Sequence, residues 1–133
     1  MRKRFWKGLR AIEIGIVVAV ITIILTVVVA RYPDFKCRSM QSEAKFSLQE
    51  IYAAQMHFFS EHSHYATAER LLLKDGRVRL SQKYYSFNDL FPPTKDGFTI
   101  AANGLDNTMV AGEIWTVDQN RDIKIIKAVC AKD

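Results

Sequence analysis

No charged side chain interrupts the stretch from Ile14 to Ala30. Such a run excludes the polar face of an ordinary surface helix. Its 17 residues make about 26 Å of helix, close to the hydrocarbon thickness of a bilayer once Ala11 and Ile12 are added. The sequence holds no internal repeat and no low-complexity tract, which excludes a solenoid and a compositionally disordered arm. Cysteine is scarce, two in 133 residues, so a dense disulfide scaffold is not available. Proline is scarce as well. Pro33 falls just past the apolar run, and Pro92-Pro93 forbid helix where they stand. Nothing resembles a nucleophile, base and oxyanion constellation, so catalysis has no candidate residues and no cofactor is called for.

What is present begins with charge. The chain carries 19 Lys+Arg against 14 Asp+Glu, a formal net charge of +5. Four of the cations, Arg2, Lys3, Arg4 and Lys7, precede Gly8; without them Lys+Arg falls to 15 and the remainder is nearly neutral at +1. The basic balance therefore belongs to the first residues, and no specific nucleic-acid partner is predicted. With Arg10, five cations lie before the apolar run, whereas its far flank mixes Arg31, Lys36 and Arg38 with Asp34. That asymmetry predicts a single pass with the N-terminus in the cytoplasm and the body outside. Glu13 sits at the mouth of the run, where an unpaired charge costs a few kcal/mol, so a designated cation is expected. Arg10, three residues earlier on the same helix face, offers a partner within the chain, and snorkelling toward water is the plainer alternative.

Helical spacing continues past the anchor. Met40, Ala44, Leu48, Ile51, Gln55 and Phe58 recur every three or four residues, opposite Arg38, Gln41, Lys45 and Gln49. The pattern predicts one helix from about Leu9 to His62, bent or locally opened at Pro33 rather than ended there. Ala66 to Lys74 reads as a short helix capped by Thr67, with Leu71, Leu72 and Leu73 turned inward and Asp75-Gly76 as its breaker. Period-two segments follow at Phe98–Ala102, Met109–Val117 and Ile123–Val129, a three-stranded antiparallel meander. A long helix laid on a small sheet buries both apolar faces and makes an α+β body.

Around the anchor the order is a basic leader ending in Gly8, then Leu9-Arg10-Ala11-Ile12-Glu13, then Ile14 to Ala30. This order resembles the type IV pilin superfamily, pseudopilins of type II secretion included, whose pattern is a leader ending in Gly, then Phe-Thr-Leu-Ile-Glu and about twenty apolar residues. Gly8, Ile12 and Glu13 match; Leu9 replaces Phe conservatively, Arg10 and Ala11 depart, and Ala30 stands where the family carries proline, with Pro33 one turn later. Ser42-Glu43-Ala44-Lys45 through Tyr52-Ala53-Ala54 to Phe58-Phe59 and Tyr65 is similar to the exposed half of a pilin's first helix. Glu113-Ile114-Trp115-Thr116-Val117-Asp118-Gln119-Asn120 is similar to the Asp-x-Trp-x-Ile-Asp strand near the end of short pilins.

The resemblance implies a pilin-like fold with a leader at 1–8, a transmembrane and filament-core helix at 9–30 and an extracytoplasmic body at 31–133. The body divides into an amphipathic helix half to about 62, a connector at 63–97 and a three-stranded sheet at 98–129. It implies cleavage between Gly8 and Leu9 by a prepilin peptidase that also N-methylates Leu9, and an assembly ion pair between Glu13 and the Leu9 amine of a neighbour. Partners implied are copies of the chain in a helical filament, the peptidase and methyltransferase, an inner-membrane assembly platform and inner-membrane lipid. The location implied is the inner membrane before assembly, then an extracellular pilus or a periplasmic pseudopilus. A bitopic membrane protein with an extracytoplasmic binding domain is the reading of another class. A secretory signal cut after Ala30 fits less well, because the run exceeds most h-regions and Glu13 interrupts its start.

Three further groups invite chemistry. Cys37 and Cys130 are a conceivable disulfide in an oxidising compartment, but two unpaired small hydrophobes is the favoured reading, with Cys37 on a helix near the membrane boundary. Asp118, Asn120 and Asp122 match the opening of a calcium loop, yet no glycine or closing glutamate follows, and a hairpin turn accounts for them equally well. His57 and His62 lie five residues apart, poorly placed to share an ion, and His64 falls near the helix end. Solvated or capping histidines are expected there, and no metal site.

Overall fold

The computed structural model describes residues 2–74, 78 and 80–130. It divides into two units, Met1–Phe35 and Lys36–Asp133. Helix α1, Arg2–His62, supplies the described part of the first unit and the opening of the second, and its helical assignment continues through Pro33.

In the first unit the apolar residues face outward. The large hydrophobics from Leu9 to Val29 are 49–69% exposed. This segment is long and apolar enough to cross a membrane, with a mean hydropathy of 2.9. The two hydroxyls within the run are satisfied locally. Thr22 Oγ1 donates to the Val18 carbonyl at 2.8 Å and Thr26 Oγ1 to the Ile23 carbonyl at 2.7 Å, so neither brings an unmet polar group to an apolar surrounding.

The second unit is built where the apolar stripe of α1 meets a sheet. Met40, Ala44, Leu48, Ile51, Gln55 and Phe58 are all buried, as the periodicity requires, and Cys37, Ser47 and Ala54 join them. The sheet is an antiparallel meander in the order β1 (Tyr85–Phe91), β2 (Thr99–Gly104), β3 (Ile114–Asp118) and β4 (Ile123–Lys127). Ile100 lies opposite Val117 and Ala102 opposite Trp115, and these four belong to the core with Tyr85, Phe98 and Val110. Burying each of the larger side chains contributes about 1.5–3 kcal/mol.

The sheet has four strands where the sequence predicts three. The extra one, β1, occupies part of the expected connector, and it is an edge strand ending at Pro92-Pro93, where the missing N–H groups need no ladder partner. The segment Met109–Gly112, expected within a strand, lies in a turn instead. A Cβ on Gly104 would come within 1.8 Å of the Val110 carbonyl oxygen, and Gly112 has φ of +78°. Those two glycines let the chain fold back on itself before β3 begins. Between α1 and the sheet, Thr67 Oγ1 caps the expected short element by accepting from Arg70 N at 3.3 Å. That element closes as a π-helical turn, Arg70–Lys74, with Leu71 buried. The Leu73 side chain and the Asp75-Gly76 breaker lie outside the described residues.

Candidate functional site

At the start of the apolar helix, Leu9 and Glu13 are one turn apart and share a face. Both are exposed. Among the described residues no ion pair joins Glu13 to Arg10 or to any other cation. The carboxylate thus stands at the edge of an apolar run without a counter-charge of its own. Gly8 is helical, and a Cβ there would meet nothing within 4 Å. A glycine inside a helix costs about 1 kcal/mol relative to alanine. Neither packing nor backbone conformation requires one at this position.

In the second unit the polar chemistry gathers on Glu113, which is fully buried. Its Oε1 accepts from the Tyr85 hydroxyl at 2.9 Å and from the Trp115 indole N–H. Its Oε2 accepts from Gln41 Nε2 at 3.0 Å and from the Val129 backbone N–H at 3.2 Å. Burial pushes this carboxyl upward, but the four donors outweigh it and hold it below the ordinary carboxylate range. Burial, and then the hydrogen bond to Glu113, push the Tyr85 phenol well above its usual value, so it stays a donor. The cluster ties α1, β1, β3 and the C-terminal segment together with neutral donors.

A disulfide closes the same corner. Cys37 and Cys130 are bonded, with Cα atoms 5.8 Å apart. The sequence favours two unpaired cysteines; the bond exists because the segment after β4 returns to the buried face of α1, 93 residues away along the chain.

The remaining candidates serve turns and packing. Asp118 Oδ1 accepts from the backbone N–H groups of Asn120 and Asp122, Asp122 pairs with Lys124, and Arg121 takes a left-handed conformation. This is a hairpin built on its own side chains. His62 stacks on Phe58 at 4.1 Å and meets the Phe58 carbonyl at 3.1 Å, His64 meets the His62 carbonyl, and His57 lies 3.8 Å from Glu61. Among the described residues no group of His, Cys, Asp or Glu is placed to hold a metal. Sequence reasoning placed Glu113 at the head of a late strand but gave it no role, and it put Gln41 on the polar side of the helix. The acid beside Trp115, before a strand of alternating apolar residues, was the available signal.

No family model matches the chain. The type IV major pilin protein PilA of Myxococcus xanthus (strain DK1622) is 43% identical over 60 residues, 45% of this chain and 27% of that protein. The match thus spans about a quarter of the relative's length. The crystal structure of the non-core minor pilin PilV of Neisseria meningitidis superposes with a TM-score of 0.55, covering 75% of this chain and 99% of that one. At 15% identity that likeness is one of fold. The fold is the α+β pilin fold of a long helix packed on a small antiparallel sheet, and the sequence is similar to a type IV major pilin over 60 residues.

Proposed function

We propose that this chain is a structural subunit of a type IV pilus-like filament. It is made with a leader at 1–8, cut after Gly8 by a prepilin peptidase that also methylates the new Leu9 amine, and anchored in the inner membrane by residues 9–30. An assembly platform then moves it into the filament, leaving 31–133 as the extracytoplasmic body. The observation that carries this reading is the carboxylate of Glu13, exposed at the start of an apolar helix and, among the described residues, without a counter-charge. In lipid or in a filament core that charge needs a cation. Cleavage creates one, since a methylated amine stays positive, and a buried ion pair is better than two orphans.

Two features support the same reading. The glycine at position 8 has no packing role, so its small size serves something other than the fold, and recognition by a peptidase accounts for it. The helix behind it offers copies of the chain a continuous apolar surface. Identical surfaces packed head to tail without closure give an open fibre, with burial against copies replacing the bilayer. The relatives named above are pilins, which favours a pilus over a secretion pseudopilus.

The test is a pair of variants in the full chain. Gly8→Phe leaves unprocessed protein in the membrane, whereas Glu13→Ala is processed and assembles poorly. Normal filaments from Glu13→Ala would remove the ion pair, and a mature chain beginning at Arg31 would refute the cleavage.

A further inference from the structure

The last strand and the residues after it form an exposed patch that is both apolar and basic. All six residues from Lys124 to Val129 are exposed, and three of them, Ile125, Ile126 and Val129, are large and apolar. Ile126 is the most open of the three at 61%. Lys124 and Lys127 interleave with these side chains, and no acid falls within the segment. Lys124 pairs with Asp122. Lys127 makes no ion pair among the described residues, nor does Lys36, which is exposed beside Cys37 on α1.

The disulfide fixes where this patch ends. Cys130 follows it directly, with its Cα 5.8 Å from that of Cys37. Cys37 in turn follows the exposed Tyr32 by five residues, about 7.5 Å as helix. A tyrosine at the end of an apolar run sits at the headgroup level of a bilayer. The end of the patch is therefore tethered close to the surface of a membrane that holds the anchor. The patch is poorly suited to adding another chain as a strand. Trp115 pairs with Ile125 and Ile114 with Lys127, so Ile126 is left as the extra residue of a bulge, and a bulge flanked by lysines blunts an edge strand.

We propose that residues 124–129 dock on the anionic phospholipid headgroups of the membrane that holds the anchor, with Lys127 and Lys36 meeting phosphates and Ile126 and Val129 entering the interface. This rests on the membrane-anchored stage of the filament reading and gives the body a lipid contact of its own. Apolar residues interleaved with lysines bind such a surface by burial and by attraction at once. Entry into a filament then requires that contact to be given up.

The test places the full chain, one copy to a disc, in nanodiscs of phosphatidylcholine or of its mixture with anionic phosphatidylglycerol. Ile126→Cys carries an environment-sensitive fluorophore, which the bonded Cys37 and Cys130 do not take up. Asn120→Cys, in the exposed hairpin before β4, is the reference. In the anionic discs the label at 126 is expected to be roughly fivefold less open to aqueous acrylamide than in the neutral ones, the preference that one lysine near such a surface supplies. The label at 120 is unchanged. Lys127→Glu removes the difference, and its persistence overturns the headgroup pairing. Equal openness at 126 in the two discs, with the chain still in the disc, overturns this contact and leaves the anchored subunit standing. Protection that arises only when several chains share a disc assigns the patch to a neighbouring copy and overturns the lipid contact too. A chain that elutes apart from the discs overturns both readings.

Discussion

Gln55 grips Ala66 with both ends of its amide. Its Nε2 donates to the Ala66 carbonyl at 2.6 Å and its Oε1 accepts from the Ala66 N–H at 2.9 Å, all of it buried. The side chain stands in for a strand partner at the point where the chain leaves α1, so a polar residue occupies the apolar stripe without an unmet group. Gln55→Leu fills the space and orphans both backbone groups. It is expected to destabilise the chain by about 2–4 kcal/mol, read by urea unfolding of the detergent-solubilised protein.

The Glu113 cluster gives a pH dependence of defined sign. Its carboxyl is held below the ordinary 4.5, so the unfolded chain binds its proton more readily, and the stability it contributes is present above about 4.5 and lost as pH falls through the lowered value. Asp89 acts oppositely. Burial raises its carboxyl, against the Ala68 N–H it accepts, so its contribution is full below the ordinary 3.8 and lost as pH rises. Glu113→Gln should be less stable than the parent at pH 7, since an amide cannot accept from four donors. It should also lose less stability than the parent between pH 5 and about 3. Parallel unfolding curves for the two proteins across that range would exclude the role given to Glu113.

The Cys37–Cys130 bond closes a loop with a sequence separation of 93 residues. Loop-closure entropy gives such a bond about 4.7 kcal/mol. The paired Cys37→Ser and Cys130→Ser variant is therefore expected to unfold at distinctly lower denaturant concentration. The C-terminal segment should open first, as faster hydrogen exchange from Ile123 to Val129, since Val129 is otherwise held there by Glu113.

How far the sequence carried the fold depends on whether each feature is local. The buried stripe from Met40 to Phe58 was readable because helical periodicity is a local signal. The Thr67 cap and the last two strands were readable for similar reasons. Strand β1 was not, since its alternation of Tyr85 and Phe87 is broken by a register shift between Asp89 and Phe91 and followed by two prolines. The disulfide and the Glu113 cluster were hidden for a different reason. Each is assembled by residues far apart in the chain, and Gln41 looks like any solvated glutamine until Glu113 is brought under it. At the N-terminus, the pattern from Gly8 to Glu13 proposed a chemistry that no ion pair among the described residues completes.

The account turns on Glu13 meeting an amine created by cleavage, and intact-mass spectrometry of purified filaments tests that most directly. The predicted result is a chain that has lost residues 1–8 and carries one methyl group on Leu9. Filaments whose subunits still begin at Met1, or begin at Arg31, would contradict it.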